Sequence, residues 1–225
     1  MRRSLLTAVV AMLVVASGCI GLVTGETVEF EASNATVEES TLESTGYEEN
    51  SATERSSTRN VTFVGQERSI RVVNKVTRYG KNGTVEPTTG TESPAATVQN
   101  GTVASGPARF VLLSSPGANV AGRTLNPAAS WSNERVLEEV ADQTGQIGDL
   151  EKRGNRTAES LGESRNVSEF TGTTSMVGRD VEVRVHVTSF EHEGDAVIAV
   201  AVHPERMDEE ATVDEMLGGI EHGGN

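Results

Sequence analysis

Two adjacent stretches near the C-terminal end constrain this chain more than any other feature. "VEVRVHV", residues 181–187, sets Val181, Val183, Val185 and Val187 against Glu182, Arg184 and His186 in strict alternation. Period two puts the valines on one side of an extended chain and the polar residues on the other, so the stretch reads as a half-buried strand. "AVIAVAV", residues 196–202, follows closely and has no polar position. A short run that is apolar on both sides fits a central strand covered on both faces. Any fold of this chain must therefore supply a sheet with a dry centre.

Helical spacing supplies the covers. Val136, Leu137 and Val140 fall on one face of a helix expected over roughly Asn133 to Gln143. Val213, Met216, Leu217 and Ile220 are in register for a last helix, which Gly218 and Gly219 weaken. Thr36 with Glu39, and Thr212 with Glu215, have the spacing of capping boxes. The chain also reads as the same pattern stated twice. "ATVEESTLESTGY", "VGQERSIRVVNKVTRY" and "ARFVLLSSPG" parallel "NERVLEEVADQTGQI", "VGRDVEVRVHVTSF" and "DAVIAVAVHPE". Each set reads as a helix, a polar strand, a Val-Gly turn at Gly65 or Gly178 into an alternating strand, and an apolar strand. Asn74 interrupts the inward face of the first copy. The expected fold is α+β: an antiparallel β-sheet with packed helices, with an internal duplication of a helix-plus-three-strand unit. Residues 31–80 form the first half and 108–222 the second. Residues 81–107, rich in Gly, Pro, Thr and Ser, read as a flexible insertion that cannot bury enough surface to offset its ordering entropy.

Charge narrows the function classes. The chain carries 33 acidic and 19 basic residues, a net charge of −14, and only three lysines, Lys75, Lys81 and Lys152. Such a surface repels phosphate backbones, which argues against nucleic acid as a partner. In molar salt the Debye length falls to about 3 Å, so a dense carboxylate surface costs little in self-repulsion and keeps a protein soluble. Acid-rich, lysine-poor composition with abundant Val, Thr and Gly resembles that of proteins from extremely halophilic archaea.

The first residues read as an export signal. Arg2 and Arg3 precede an uncharged stretch from Ser4 to Thr24, a basic head and apolar body of secretory type. The arginine pair followed by "SLL" resembles a twin-arginine signal. Ala16-Ser17-Gly18-Cys19 resembles a lipobox, in which a thiolate, the strong soft nucleophile of the side-chain set, takes up a membrane lipid. Residues 1–18 are accordingly expected as a lipoprotein signal peptide and 19–30 as a lipid-attached tether. The alternative is an uncleaved helix, since Leu5 to Val23 is just long enough to span a bilayer. Asn34, Asn60, Asn82, Asn100, Asn155 and Asn166 each open an Asn-X-Ser/Thr triplet. With twelve asparagines and Ser plus Thr near a fifth of the chain, chance would give roughly two, so the excess suits a glycosylated exported protein.

These residues together resemble a family of small exported haloarchaeal lipoproteins of unknown function. The likeness rests on "SGCIG", "FEASNATVEESTLESTGYEE", "GRTLNP" followed by "SNERVLEE", and "VRVHV" followed by "VAVHPERMD". It implies a location on the outer face of the cell membrane and no particular activity. The order of elements is also similar to the PsbP/Mog1-like sandwich, at the level of fold alone.

Chemistry is thinly signalled. His186, on the polar face of its strand, and His203, at the end of the next, need not face one another in a hairpin, and His192 and His222 complete the histidines. No pair has metal-site spacing, and no phosphate loop, nucleophile elbow or zinc-protease helix occurs. The sequence therefore assigns no catalytic, metal or cofactor residue. The expectation is a non-enzymatic surface-interaction or envelope protein, held by membrane lipid through Cys19 and meeting a surface protein or ligand. A solute-binding lipoprotein and an extracellular hydrolase are the alternatives. A cavity between sheet and helices, lined by aromatics or convergent polar groups, would favour the solute binder, and the poverty of aromatics counts against it.

Overall fold

The computed structural model describes residues 27–63, 66–81, 107–117, 119–120, 123–124, 128–144, 147–176 and 179–223. In chain order these form β1 (Val28–Glu31), β2 (Ala35–Val37), helix α1 (Glu39–Thr45), β3 (Tyr47–Phe63), β4 (Gln66–Lys81) and β5 (Ala108–Pro116). The short β6 (Asn119–Val120) and β7 (Arg123–Thr124), a 3-10 turn at Ala128–Ser130 and α2 (Asn133–Thr144) follow. The second half continues with β8 (Gly148–Ser160), β9 (Glu163–Met176), β10 (Arg179–His192), β11 (Asp195–Pro204), α3 (Glu210–Gly218) and β12 (Ile220–His222).

The apolar run lies where its composition demands. β11 sits between β5 and β10 in a sheet ordered β3-β4-β5-β11-β10-β9-β8, all antiparallel. All ten residues of β11 are buried. β4 is long enough to pair with β3 along one edge, and with β1 and then β5 along the other. β1 runs parallel to it, Val28 opposite Ile70, so the segment expected as tether has already joined the sheet at Val28.

The expectation of an α+β domain built on an antiparallel sheet is corrected. Strands hold 67% of the described residues and helices 18%, so the protein is mostly β: a large mixed sheet of eight strands with three short helices. The difference comes from polar strands. The polar strands expected before the Val-Gly turns are β3 and β9, and the unforeseen one is β8, "GDLEKRGNRTAES", an edge strand whose side chains are mostly in water and which carries no apolar alternation. Charge and polarity on an edge also discourage pairing with another chain. The duplication is corrected too. The second half has two polar strands, β8 and β9, where the first has only β3, and α1 and α2 cover opposite faces of the sheet.

Both covers are apolar. On one face Val136, Leu137 and Val140 of α2 pack on Val183, Val185, Val187, Ile198, Val200 and Val202. On the other, Val213, Met216 and Leu217 of α3 cover Phe110, Leu112, Val197 and Ala199, with the β2–β12 pair alongside. β2 is moored by side chains: the Val37 N–H donates to Tyr79 Oη at 2.9 Å and Thr77 Oγ1 donates to the Ala35 carbonyl at 3.1 Å. Neither capping box forms. Thr36 lies in β2, Thr212 lies inside α3, and Glu38 and Glu209 occupy the N-cap positions without side-chain caps.

Gly219 has a packing role that its effect on the helix conceals. A Cβ there would stand 2.4 Å from Thr41 Oγ1 of α1, whereas one at Gly218 would meet nothing closer than 3.9 Å. Gly219→Ala is therefore expected to destabilise the protein by about 1–3 kcal/mol through overpacking. Gly218→Ala, at the end of a helix with open space, should be neutral or stabilising by up to about 1 kcal/mol. Urea unfolding of the two variants checks the pair, and equal losses would remove the packing argument.

Candidate functional site

On the α2 face, β3, β4 and β5 continue beyond the helix and leave a groove. Because β3 pairs Arg55 with Asn74, Ser57 with Val72 and Arg59 with Ile70, these six side chains share one side of the sheet. Leu113 and Ser115 of β5 extend the floor, and Ala128, Trp131, Glu139 and Val140 form the wall. The enclosed space is about 180 Å³. Asn74, which breaks the apolar pattern of β4, belongs to this floor and accepts a hydrogen bond from Ser115 Oγ at 2.7 Å. Trp131 is the single tryptophan of the chain and has the Arg135 guanidinium 5.2 Å from its ring centroid.

The electrostatics of the groove oppose those of the whole protein. Glu139 is already paired with Arg135 at 3.4 Å. Arg55 and Arg59 have no ion-pair partner among the described residues. A third guanidinium, Arg78, lies close enough that burial and the Arg55 charge together hold its pKa below the usual arginine range. A net positive groove in a chain of net charge −14 can take a small anion, with the indole as an apolar surface and Asn74, Ser57 and Ser115 as hydrogen-bonding groups.

The opposite face holds the histidines, and here the sequence reading needs correction. His186 pairs with Ala201 and His203 with Arg184, so the two rings are diagonal neighbours on one side of the hairpin. They stack with centroids 5.2 Å apart, and their Nε2 atoms are 3.0 Å apart. The side of β10 that alternates as polar is covered by α3, leaving His186 2% and His203 1% exposed. Their protons follow from their partners. His203 Nδ1 lies 3.0 Å from the Pro204 carbonyl and must donate to it, so its Nε2 accepts from His186 Nε2–H, and His186 Nδ1 accepts from Arg156 at 3.3 Å. Arg156 is held by Glu169 at 2.8 Å and by Asp214. Every ring nitrogen of the pair is spent inside the protein, and no space beside His186 admits a water molecule.

The remaining two histidines also meet. His192 ends β10 and His222 ends β12, and their Nδ1 atoms are 3.0 Å apart. No spacing along the chain signals this contact, since the β2–β12 pairing creates it.

A family described as "Domain of unknown function (DUF6517)" matches residues 34–221. The chain belongs to that family. No curated protein matches it. The DUF6517 match takes in the groove, the His186–His203 pair and His192, whereas Cys19, β1 and His222 fall outside its limits. Cys19, the signal and spanning stretches before residue 27, Gly65, Gly178, Asn82 and Asn100 lie outside the described residues, as does all of 81–107 except its two end residues. Of the acceptor asparagines within the DUF6517 region, Asn34, Asn60, Asn155 and Asn166 are all exposed. No helix among the described residues is long and apolar enough to cross a membrane.

The buried histidines imply a definite acid response. Burial first, then the neighbouring His203 and arginine charges, pushes the His186 pKa down to about 3, and burial lowers that of His203. Both are neutral in the native state, so above the unfolded pKa of about 6.5 they add no pH dependence. As pH falls below that value the unfolded chain takes up protons that the native chain refuses, and stability drops by up to about 1.4 kcal/mol per pH unit per histidine. Urea unfolding between pH 7 and pH 5.5, above most of the carboxylate range, should show this slope, and His186→Asn should flatten it. An unchanged slope in the variant would refute the assignment.

Proposed function

We propose that this protein is an exported binding protein of a haloarchaeal envelope, anchored to the outer face of the membrane by a lipid on Cys19, which captures a small anionic solute without transforming it. The groove carries the binding part of this reading: two guanidiniums with no ion-pair partner among the described residues, a tryptophan face and three uncharged polar side chains converge on about 180 Å³ between sheet and helix. It favours ligand capture over a purely adhesive role. The anchoring part is supported by the lipobox-like residues at Ala16-Ser17-Gly18-Cys19 and by the six acceptor asparagines. The salt-adapted composition fits such a site, because at a Debye length of about 3 Å only charges in contact act on a ligand. The hydrolase alternative finds little support in the histidine pair, whose nitrogens are all engaged internally.

Trp131 is a built-in reporter, since all indole emission comes from the groove wall. Small carboxylates and phosphates, titrated at constant ionic strength, are expected to change its emission saturably. Arg55→Ala with Arg59→Ala should weaken the effective anion by at least about tenfold for each charged hydrogen bond lost. Emission that no anion changes, or that changes equally in the double variant, would sink the solute-binding reading. The anchor is checked separately by the intact mass of protein extracted from native membranes. A chain starting at Cys19 with a lipid-sized increment is expected, and an unmodified chain retaining Met1 would exclude it.

A further inference from the structure

We propose that His192, Glu193 and His222 form a binding site for a divalent transition-metal ion of the zinc class, clipping the C-terminal strand β12 to the β10–β11 turn. One nitrogen from each ring and one Glu193 carboxylate oxygen lie within 4.8 Å of one another. The two Nδ1 atoms, 3.0 Å apart, need only open by a few tenths of an ångström, because ligands about 2.0–2.1 Å from a tetrahedral zinc stand about 3.3 Å from each other. Two imidazoles with one carboxylate are a donor set that a borderline ion prefers over magnesium or calcium.

The surroundings orient the ligands. The His222 imidazole is buried, and its Nε2 faces Asp195 Oδ2 at 3.4 Å and Ser114 Oγ at 3.0 Å. A carboxylate behind the distal nitrogen fixes the tautomer with Nε2–H outward and the Nδ1 lone pair toward His192. Asp195 is itself held, accepting the Ser33 N–H at 2.7 Å. In the metal-free protein His192 Nδ1–H donates to that lone pair, and on binding its proton moves to Nε2. Glu193 is placed by the turn: with Gly194 it forms a two-residue hairpin loop in which both φ angles are positive, 50° and 88°. The chain passes the carboxylate at Gly223, where a Cβ would stand 3.0 Å from Glu193 Oε2. Glu193 is exposed and His192 half-buried, so a fourth coordination position opens to solvent.

The test uses the full chain without an affinity tag, stripped with EDTA and titrated with Zn²⁺ by calorimetry in excess Mg²⁺, which occupies surface carboxylates but does not compete for imidazole. One Zn²⁺ per chain is expected, together with a raised melting temperature. His192→Gln and Glu193→Gln, both at the surface turn and expected to fold, should weaken binding by about a hundredfold or more, and Asp195→Asn by about tenfold or more. Co²⁺ should give a visible d–d absorption in the native chain that His192→Gln abolishes. Absence of stoichiometric Zn²⁺ binding, or binding equally tight in His192→Gln, would overturn the proposal. Because the groove lies on the other face of the sheet, the anion titration of Trp131 is independent of this outcome.

Discussion

The rest of the structure answers one requirement, the burial of β11. Ten consecutive residues out of water oblige the chain to pair both edges of the strand and to cover both of its faces. β5 and β10 satisfy the backbone groups, α2 covers one side, and α3 with the β2–β12 pair covers the other. Each fully buried Val or Ile is worth about 1.5–3 kcal/mol relative to exposure, so this one strand outweighs the marginal contribution of the polar edges. Those edges can then be spent on solubility and on lining a groove.

The second cover explains why polar groups are buried at all. β10 alternates and its valines lie under α2, so covering its other side encloses His186. Ala199 and Ala201 on the neighbouring strand are small enough to leave room for the stacked rings. A buried polar group is tolerable only when its hydrogen bonds are complete. The line Arg156, His186, His203, Pro204 completes them with every donor and acceptor defined, and Glu169 and Asp214 neutralise the arginine at its outer end. Lys81 and Glu209, paired at 2.9 Å with the carboxylate almost wholly out of water, repeat the device at the start of α3.

Legibility in the sequence followed apolar contrast. "VEVRVHV" and "AVIAVAV" read correctly as adjacent strands, and the middle helix appears within a residue of its expected bounds because Val136, Leu137 and Val140 mark its inner side. β8 has no such mark, so the second half holds one strand more than its apolar pattern shows. Asn74 was visible as an anomaly, but its meaning required Arg55 opposite it across a hairpin register that no spacing reveals. The histidines were hardest. His186 and His203 become neighbours only if the strand's polar side is itself covered, and His192 meets His222 through the pairing of β12 with a strand almost two hundred residues earlier. Gly219, read as a helix weakness, turned out to be the place where two helices touch.

The long β4 also gives the molecule a polarity along its own axis. At the Ile70 level β1 enters the sheet, and at the other extreme Lys81 pairs with Ala108, the two residues that flank 82–107. Eleven residues of strand separate these levels, about 36 Å at the usual rise. The domain thus has a base, where the N-terminal chain arrives beside Ile70, and a far end, where β2 and β12 lie over Thr77 and Tyr79 and where the chain leaves at Lys81 and rejoins at Ala108. Because Lys81 and Ala108 are paired across β4 and β5, residues can be added to or lost from the segment between them without altering that register. Changes of length there can therefore accumulate without disturbing the strand that holds the domain together.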